Sequence, residues 1–312
     1  MSSLPAAISV APLPRFRMPN EIRDAIAAAD YPNPTVLADP VRQRHSLDAL
    51  SAGIPGLDAL LAEARSLVDA TGGVIVENCA IQPDEAVAVL SSAFGPVVVE
   101  GNGIPPALVF DVTPRPTASG LSDAGTSRGT GEFGLHSDSA NFARPHAFVS
   151  LGCVRAEVGH GGESLLVSAE AIASTLLAED RRHSLRTLAD PVFPFPNFEG
   201  IVHGPILWHT NGRWWVRYRE PASTAADRWP GLDEPHTTAL ADFEAVLRRP
   251  GLVAEFVLRP GDLFVLDNRR WLHGRRAFTA AANRLLKRCK MLLPPEGLSE
   301  MDSGRASAPT AP

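Results

Sequence analysis

Cysteine is scarce in this chain: three occur in 312 residues, Cys79, Cys153 and Cys289, far apart and without a C-x-x-C spacing. That excludes a disulfide framework and a thiolate zinc site, and free thiols suit a reducing cytoplasm, the expected location. A basic block is also missing. The formal net charge is -6, and acidic residues elsewhere outweigh the pairs Arg269 and Arg270 and Arg275 and Arg276. Phosphate binding needs clustered cations, so no nucleic-acid partner is expected. No apolar run approaches the ~18 residues of a membrane helix. The N-terminus, MSSLPAAISVAPLPRF, has no positive n-region, and Pro5, Pro12 and Pro14 break its apolar run. Neither a signal peptide nor a membrane partner is expected. An H-E-x-x-H helix of the metalloprotease kind is lacking too.

What remains is a chain with 45% hydrophobic content, ample for a packed core. Residues 1 to 18 read as an extended Pro-rich arm, 19 to 296 as a single domain, and 297 to 312 as a flexible tail. Leu57, Leu60, Leu61, Ala64 and Val68 recur at helical spacing, and Gly72 and Gly73 stop the run. Gly73 to Glu77 then reads as a buried strand and Pro83 to Phe94 as a helix. Further strands are expected at 97 to 99, 107 to 112, 146 to 153, 164 to 167, 213 to 219, 252 to 258, 263 to 266 and 284 to 293. Ser168 is an expected N-cap for a helix from Ala169 to Leu177, and another helix is expected from Thr237 to Arg249. The stretch from Pro191 to Pro235 gives no order beyond its one strand. Short strands with interspersed helices suggest a sheet sandwich or barrel under helical cover.

Chemistry concentrates in GEFGLHSDSANFAR, Gly131 to Arg144, where His136 and Asp138 stand two residues apart. Alternate side chains of an extended strand share a face, so this imidazole and carboxylate can converge on one cation. His273, in DNRRWLHGRRAF, is the best third donor. Two His and one carboxylate on one face of a metal, with the other face open, is the arrangement of non-haem Fe(II) oxygenases. The polar segment from Thr113 to Thr130 leads straight into this strand, and a loop of that length reads as a lid.

The ordered set LHSD, GGESLLV, PGDLFVLDNRRWLHGR and NRLLKR resembles the Fe(II)- and 2-oxoglutarate-dependent oxygenases of the clavaminate synthase-like and taurine dioxygenase-like family. The resemblance runs from about Gly73 to Leu293. It implies a mainly β fold with flanking helices around a double-stranded β-helix, or jelly roll. It implies His136, Asp138 and His273 as the metal ligands and catalytic centre, with Fe(II) as cofactor and 2-oxoglutarate and O2 as co-substrates. Halogenating relatives carry a small residue at the position of Asp138, so its presence implies oxygen chemistry without halide. Arg284, eleven residues after His273, matches the arginine for the far carboxylate of 2-oxoglutarate, a contact that suits a planar guanidinium fork. Ser164 stands where the family has a Thr making the same contact.

Arg288 lies four residues beyond Arg284, on the same side of the strand at roughly 13 Å. In relatives that oxidise free amino acids the equivalent arginine holds the substrate carboxylate. Glu132 is the candidate for the α-amine, and Lys287 and Lys290 read as solvated strand residues. The implied activity is oxidation of an unactivated C–H bond of a free amino acid or similar small carboxylate, with hydroxylation as default and desaturation or cyclisation open, in specialised metabolism. A non-catalytic metal- or small-molecule-binding barrel and a zinc hydrolase are the alternatives. The first has no need of Arg284, and the second lacks a clear general base beside the site.

Overall fold

Apolar alternation along the strands decides which layer each face meets. The computed structural model describes residues 13–101, 107–114, 127–157, 161–219, 229, 231–278 and 283–294. In chain order it begins with β1 (Arg15–Arg17), α1 (Asn20–Ala28), α2 (Pro34–Leu37), α3 (Pro40–Gly53), α4 (Leu57–Thr71), β2 (Gly73–Glu77) and α5 (Asp84–Ser91). Next come β3 (Phe110–Val112), β4 (Phe133–His136), β5 (Phe148–Arg155), β6 (Ser164–Ser168), α6 (Ala169–Ala178) and α7 (Arg182–Thr187). The hairpin strands β7 (Phe193–Asn197) and β8 (Gly200–Gly204) and then β9 (Leu207–Thr210) and β10 (Arg213–Val216) follow. The chain continues through α8 (Glu234–Leu247), β11 (Ala254–Phe256), β12 (Leu263–Asp267), β13 (Trp271–Arg275) and β14 (Leu285–Met291).

The larger sheet has the order β1-β2-β12-β5-β14-β3 and the smaller β11-β6-β13-β4. Val74 and Val76 of β2, Leu263 and Val265 of β12, and Cys289 and Met291 of β14 pack outward among residues of α1 and α3–α5. Their neighbours Ile75, Phe264, Leu266 and Leu286 point the other way, into a core shared with Leu166 and Trp271 of the smaller sheet. This period of two therefore makes one face of the large sheet a helix seat and the other the wall of an inner space. By the same parity Arg288 and Lys290 of β14 point inward with Leu286. A third apolar cluster joins α6 and α8 to β7, β9 and β10.

Local signals explain most elements. The stripe Leu57, Leu60, Leu61, Ala64 and Val68 is the buried face of α4, and Gly72 at φ +83 ends that helix. The Ser168 hydroxyl accepts the Ala171 amide and starts α6 as expected, a cap that contributes about 1 kcal/mol. Asn33 caps α2 and Asp39 caps α3, each followed by Pro at the first helical position.

Several expectations shift. Within the supposed N-terminal arm, Arg15–Arg17 pair in parallel with Ile75–Glu77, so this stretch is a sheet edge. Residues 97 to 99 give only a bridge from Val97 to Met291 rather than a strand. The unordered stretch after Pro191 holds two hairpins, and β7 tolerates Pro194 and Pro196 because among the described residues its ribbon has no third strand that would need their amides. Residues 1–12 and 297–312 and most of the expected lid, 115–126, lie outside the described residues. Among the described residues no helix is long and apolar enough to cross a membrane.

Candidate active site

The site forms where β4 meets β13. Residue pairing sets His136 directly opposite His273, and the two imidazole centroids are 4.4 Å apart. Gly274 permits this approach: a Cβ there would lie 2.8 Å from the Phe133 carbonyl oxygen, closer than a side chain can come. On the far side of β4, the segment after β10 closes the edge through a bridge from Arg219 to His136 and a bond from the Ser137 amide to the Tyr218 carbonyl.

Asp138 reaches the same point differently from the extended strand expected of H-x-D. β4 ends at His136, and Asp138 stands in the turn that follows. Asn268 pins that turn: its Oδ1 accepts the Asp138 amide at 2.6 Å, and its Nδ2 donates to the carbonyls of Asp138 and His146 at 2.9 and 2.7 Å. The buried Arg217 holds the next residues, donating to the carbonyls of Ala140 and Phe142.

Donor atoms of His136, Asp138 and His273 all lie within 4.8 Å of one another. His136 Nε2 is 3.8 Å from Asp138 Oδ1, and His273 Nε2 is 4.0 Å from Asp138 Oδ2. His136 Nδ1 lies 2.8 Å from the Gly134 carbonyl, which as an acceptor assigns the proton to Nδ1 and leaves the Nε2 lone pair facing the cluster. Burial pushes His136 down to about 3, helped by His273, and burial lowers His273 as well. Both rings are therefore neutral near pH 7, the form that binds a metal. Burial alone would raise Asp138, but the charges of Lys290 and then Arg288 outweigh it and keep the group an anion. Among the described residues Asp138 Oδ2 is buried with no hydrogen-bond partner. A buried, ionised oxygen without a donor is costly unless a cation meets it, so the donor set fits a divalent metal.

Arg284 is buried, its guanidinium 5.8 Å from the Phe278 ring, and burial lowers its pKa. No hydrogen bond or ion pair engages it among the described residues. Ser164, also buried, pairs across the sheet with Arg275. Arg288 is buried too, but it is already engaged: Nε and Nη2 donate to Glu100 Oε1 and Oε2 at 3.0 and 2.6 Å. Glu100 is a buried carboxylate that sequence reading missed, since an isolated Glu after a Pro-Val-Val-Val run carries no signal of its partner. Lys287 and Lys290, expected in solvent, are both buried. Lys287 meets Asp84 and Asp111 on the outer face, where α5 covers the sheet. Lys290 faces inward and meets Glu100 and Asp138. Glu132 is exposed and its carboxylate faces Arg276 at 3.5 Å. The chain thus turns Glu132 to the surface before β4 begins, against Arg276 rather than the cluster.

Two sheets face to face, with a His-Asp-His cluster between them and further along a buried arginine that among the described residues makes no hydrogen bond, form a jelly roll around a candidate metal centre. The chain belongs to the taurine catabolism dioxygenase TauD, TfdA family, whose model matches residues 50–290. It resembles dioxygenase str8 of Strobilurus tenacellus, 33% identical over 188 residues that cover 55% of this chain and 42% of that protein. The chain thus matches less than half of that protein's length. Among solved structures it resembles asparagine oxygenase in complex with Fe(II), 2S,3S-3-hydroxyasparagine and succinate. The TM-score is 0.71 at 19% identity, covering 89% of this chain and 93% of that one. It also resembles the non-heme iron oxygenase OrfP in complex with Fe and alpha-ketoglutaric acid. There the TM-score is 0.66 at 20% identity, over 95% and 99% of the two chains. At these identities the likeness is one of fold.

Proposed function

We propose that this dioxygenase oxidises a C–H bond of a free amino acid or amino-acid-like small carboxylate, by hydroxylation, in cytoplasmic specialised metabolism. His136, Asp138 and His273 hold Fe(II), and Arg284 with Ser164 receives the far carboxylate of 2-oxoglutarate. Bound iron with its co-substrate supplies O2 activation; the protein supplies placement. The observation that carries the reading is the pairing of the buried cluster with Arg284, a desolvated cation that among the described residues has the charge of Glu157 nearby but no hydrogen bond or ion pair. A binding scaffold has no use for such a charge, and a dicarboxylate co-substrate does.

Glu100 grips Arg288 by its Nε and Nη2 edge. The Nη1 and Nη2 end is left for a substrate carboxylate, and a gripped guanidinium loses little further freedom on binding it. Support for an amino-acid substrate comes from the two structural relatives, one bound to hydroxyasparagine and another in complex with (3S)-hydroxy-L-Arg. Phe133, its ring 4.0 Å from that of His136, walls one side of the cluster and excludes water there.

The test is anaerobic titration of the protein with Fe(II) and 2-oxoglutarate, followed by a panel of free amino acids scored for succinate release and product mass. A weak visible band for the chelate, succinate release and a gain of one oxygen are expected; His136→Ala should abolish all three. Unchanged turnover in that variant would sink the triad assignment.

A further inference from the structure

Of the 29 Lys and Arg residues only two are lysines, Lys287 and Lys290, and both lie in β14. In a chain that uses arginine almost everywhere, the cation nearest the carboxylate of the triad is a lysine. Lys290 Nζ is 3.8 Å from Asp138 Oδ1 and 3.3 Å from Glu100 Oε2. Glu100 is itself clasped by Arg288 through both oxygens. Four buried groups thus alternate in sign, from Arg288 through Glu100 and Lys290 to Asp138.

The two oxygens of Asp138 are consequently unlike. Oδ1 lies 3.8 Å from both the Lys290 ammonium and His136 Nε2, whereas Oδ2 has no cation beside it, is buried without a hydrogen-bond partner among the described residues and lies 4.0 Å from His273 Nε2. We infer that Lys290 is a positioning residue that divides this carboxylate, reserving Oδ1 and leaving Oδ2 alone to ligate the metal. An arginine would serve badly here, because its planar fork engages both oxygens of a carboxylate, while an ammonium acts as a point charge on one. Ligation through one oxygen keeps a coordination position open for water, co-substrate or O2. With Oδ1 released, the carboxylate can chelate through both oxygens and take that position. The inference rests on the metal assignment proposed above.

Mn(II) tests it without turnover. Free Mn(II) is titrated by electron paramagnetic resonance, and water-proton relaxation of the bound ion reports how many exchangeable waters it keeps. Lys290→Met and Lys290→Gln are expected to hold Mn(II) with lower relaxivity per bound ion, as one water is displaced. Glu100→Gln retains the ammonium beside Asp138 and should keep the wild-type value. Circular dichroism checks that each variant folds, and the glutamine variant serves if methionine does not. Equal relaxivity in the wild type and the Lys290 variants overturns the inference, as does an equal fall in all three variants, which would mark mere loss of packing. Failure of the wild type to bind Mn(II) instead overturns the metal assignment.

Discussion

Asn268 does for Asp138 what no strand ladder can. Its amide spends one acceptor and two donors on the Asp138 amide, the Asp138 carbonyl and the His146 carbonyl, and the side chain is almost wholly buried. Asn268→Asp replaces both donors with an acceptor facing two carbonyl oxygens. Metal affinity is expected to fall about 10- to 100-fold, in keeping with other groups that orient a ligand. Fe(II) or Mn(II) titration of the folded variant checks this, and affinity within twofold of wild type refutes it. His136, Asp138 and His273 were legible because their types and order are themselves the signal. Glu100, Lys290 and Asn268 were not, because burial and pairing across 188 or 130 residues of sequence leave no local pattern. A lysine paired inside a barrel is spelled like one in solvent.

Among the elements, the β4–β13 contact decides whether the two imidazoles meet. Gly274→Ala would place a methyl group 2.8 Å from the Phe133 carbonyl and push β4 outward. Overpacking of this kind costs about 1–3 kcal/mol. The variant is expected to fold with a lowered Tm and to lose tight Mn(II) binding; full Mn(II) stoichiometry at wild-type affinity would contradict this account. The helices α4 and α6 were readable because a buried face repeats along them at helical period, and β2 and β12 because they are short apolar runs bounded by turn signals and buried on both faces. α2 and α3 were obscured by their prolines, although Asn33-Pro34 and Asp39-Pro40 are cap-plus-first-turn signals that reveal both once noticed. The H-x-D spacing suggested an unbroken strand, whereas the chain turns at Ser139, whose φ of +59 no strand contains.

For the molecule as a whole, burial of neutral histidines links stability to acid. His146 sits beside the site with Nδ1 2.6 Å from the Ser139 hydroxyl, and burial, then Lys290, bring it down to about 4. An unfolded histidine titrates near 6.5, so between these values the unfolded chain binds more protons. Stability contributed by this group is present above pH 6.5 and is lost as pH falls through about 4, a loss of about 3 kcal/mol. Urea midpoints of the metal-free protein at pH 7, 5.5 and 4.5 should decline in that order, and His146→Asn should make the decline shallower, leaving the share that His136 and His273 contribute. A midpoint independent of pH over this span would contradict the buried, neutral state.

β14 follows every other described element in sequence, yet it lies inside the large sheet between β5 and β3. During synthesis, then, β5 must wait with one edge unpaired until the final strand emerges. Such an edge is a template for pairing with other chains, and long-range closure of this sort is slow. The same strand brings Arg288 and Lys290 and is immediately preceded by Arg284. Assembly of the sheet and completion of the charged site are therefore one event, and a nascent chain has no working centre to expose to oxygen before its fold has closed.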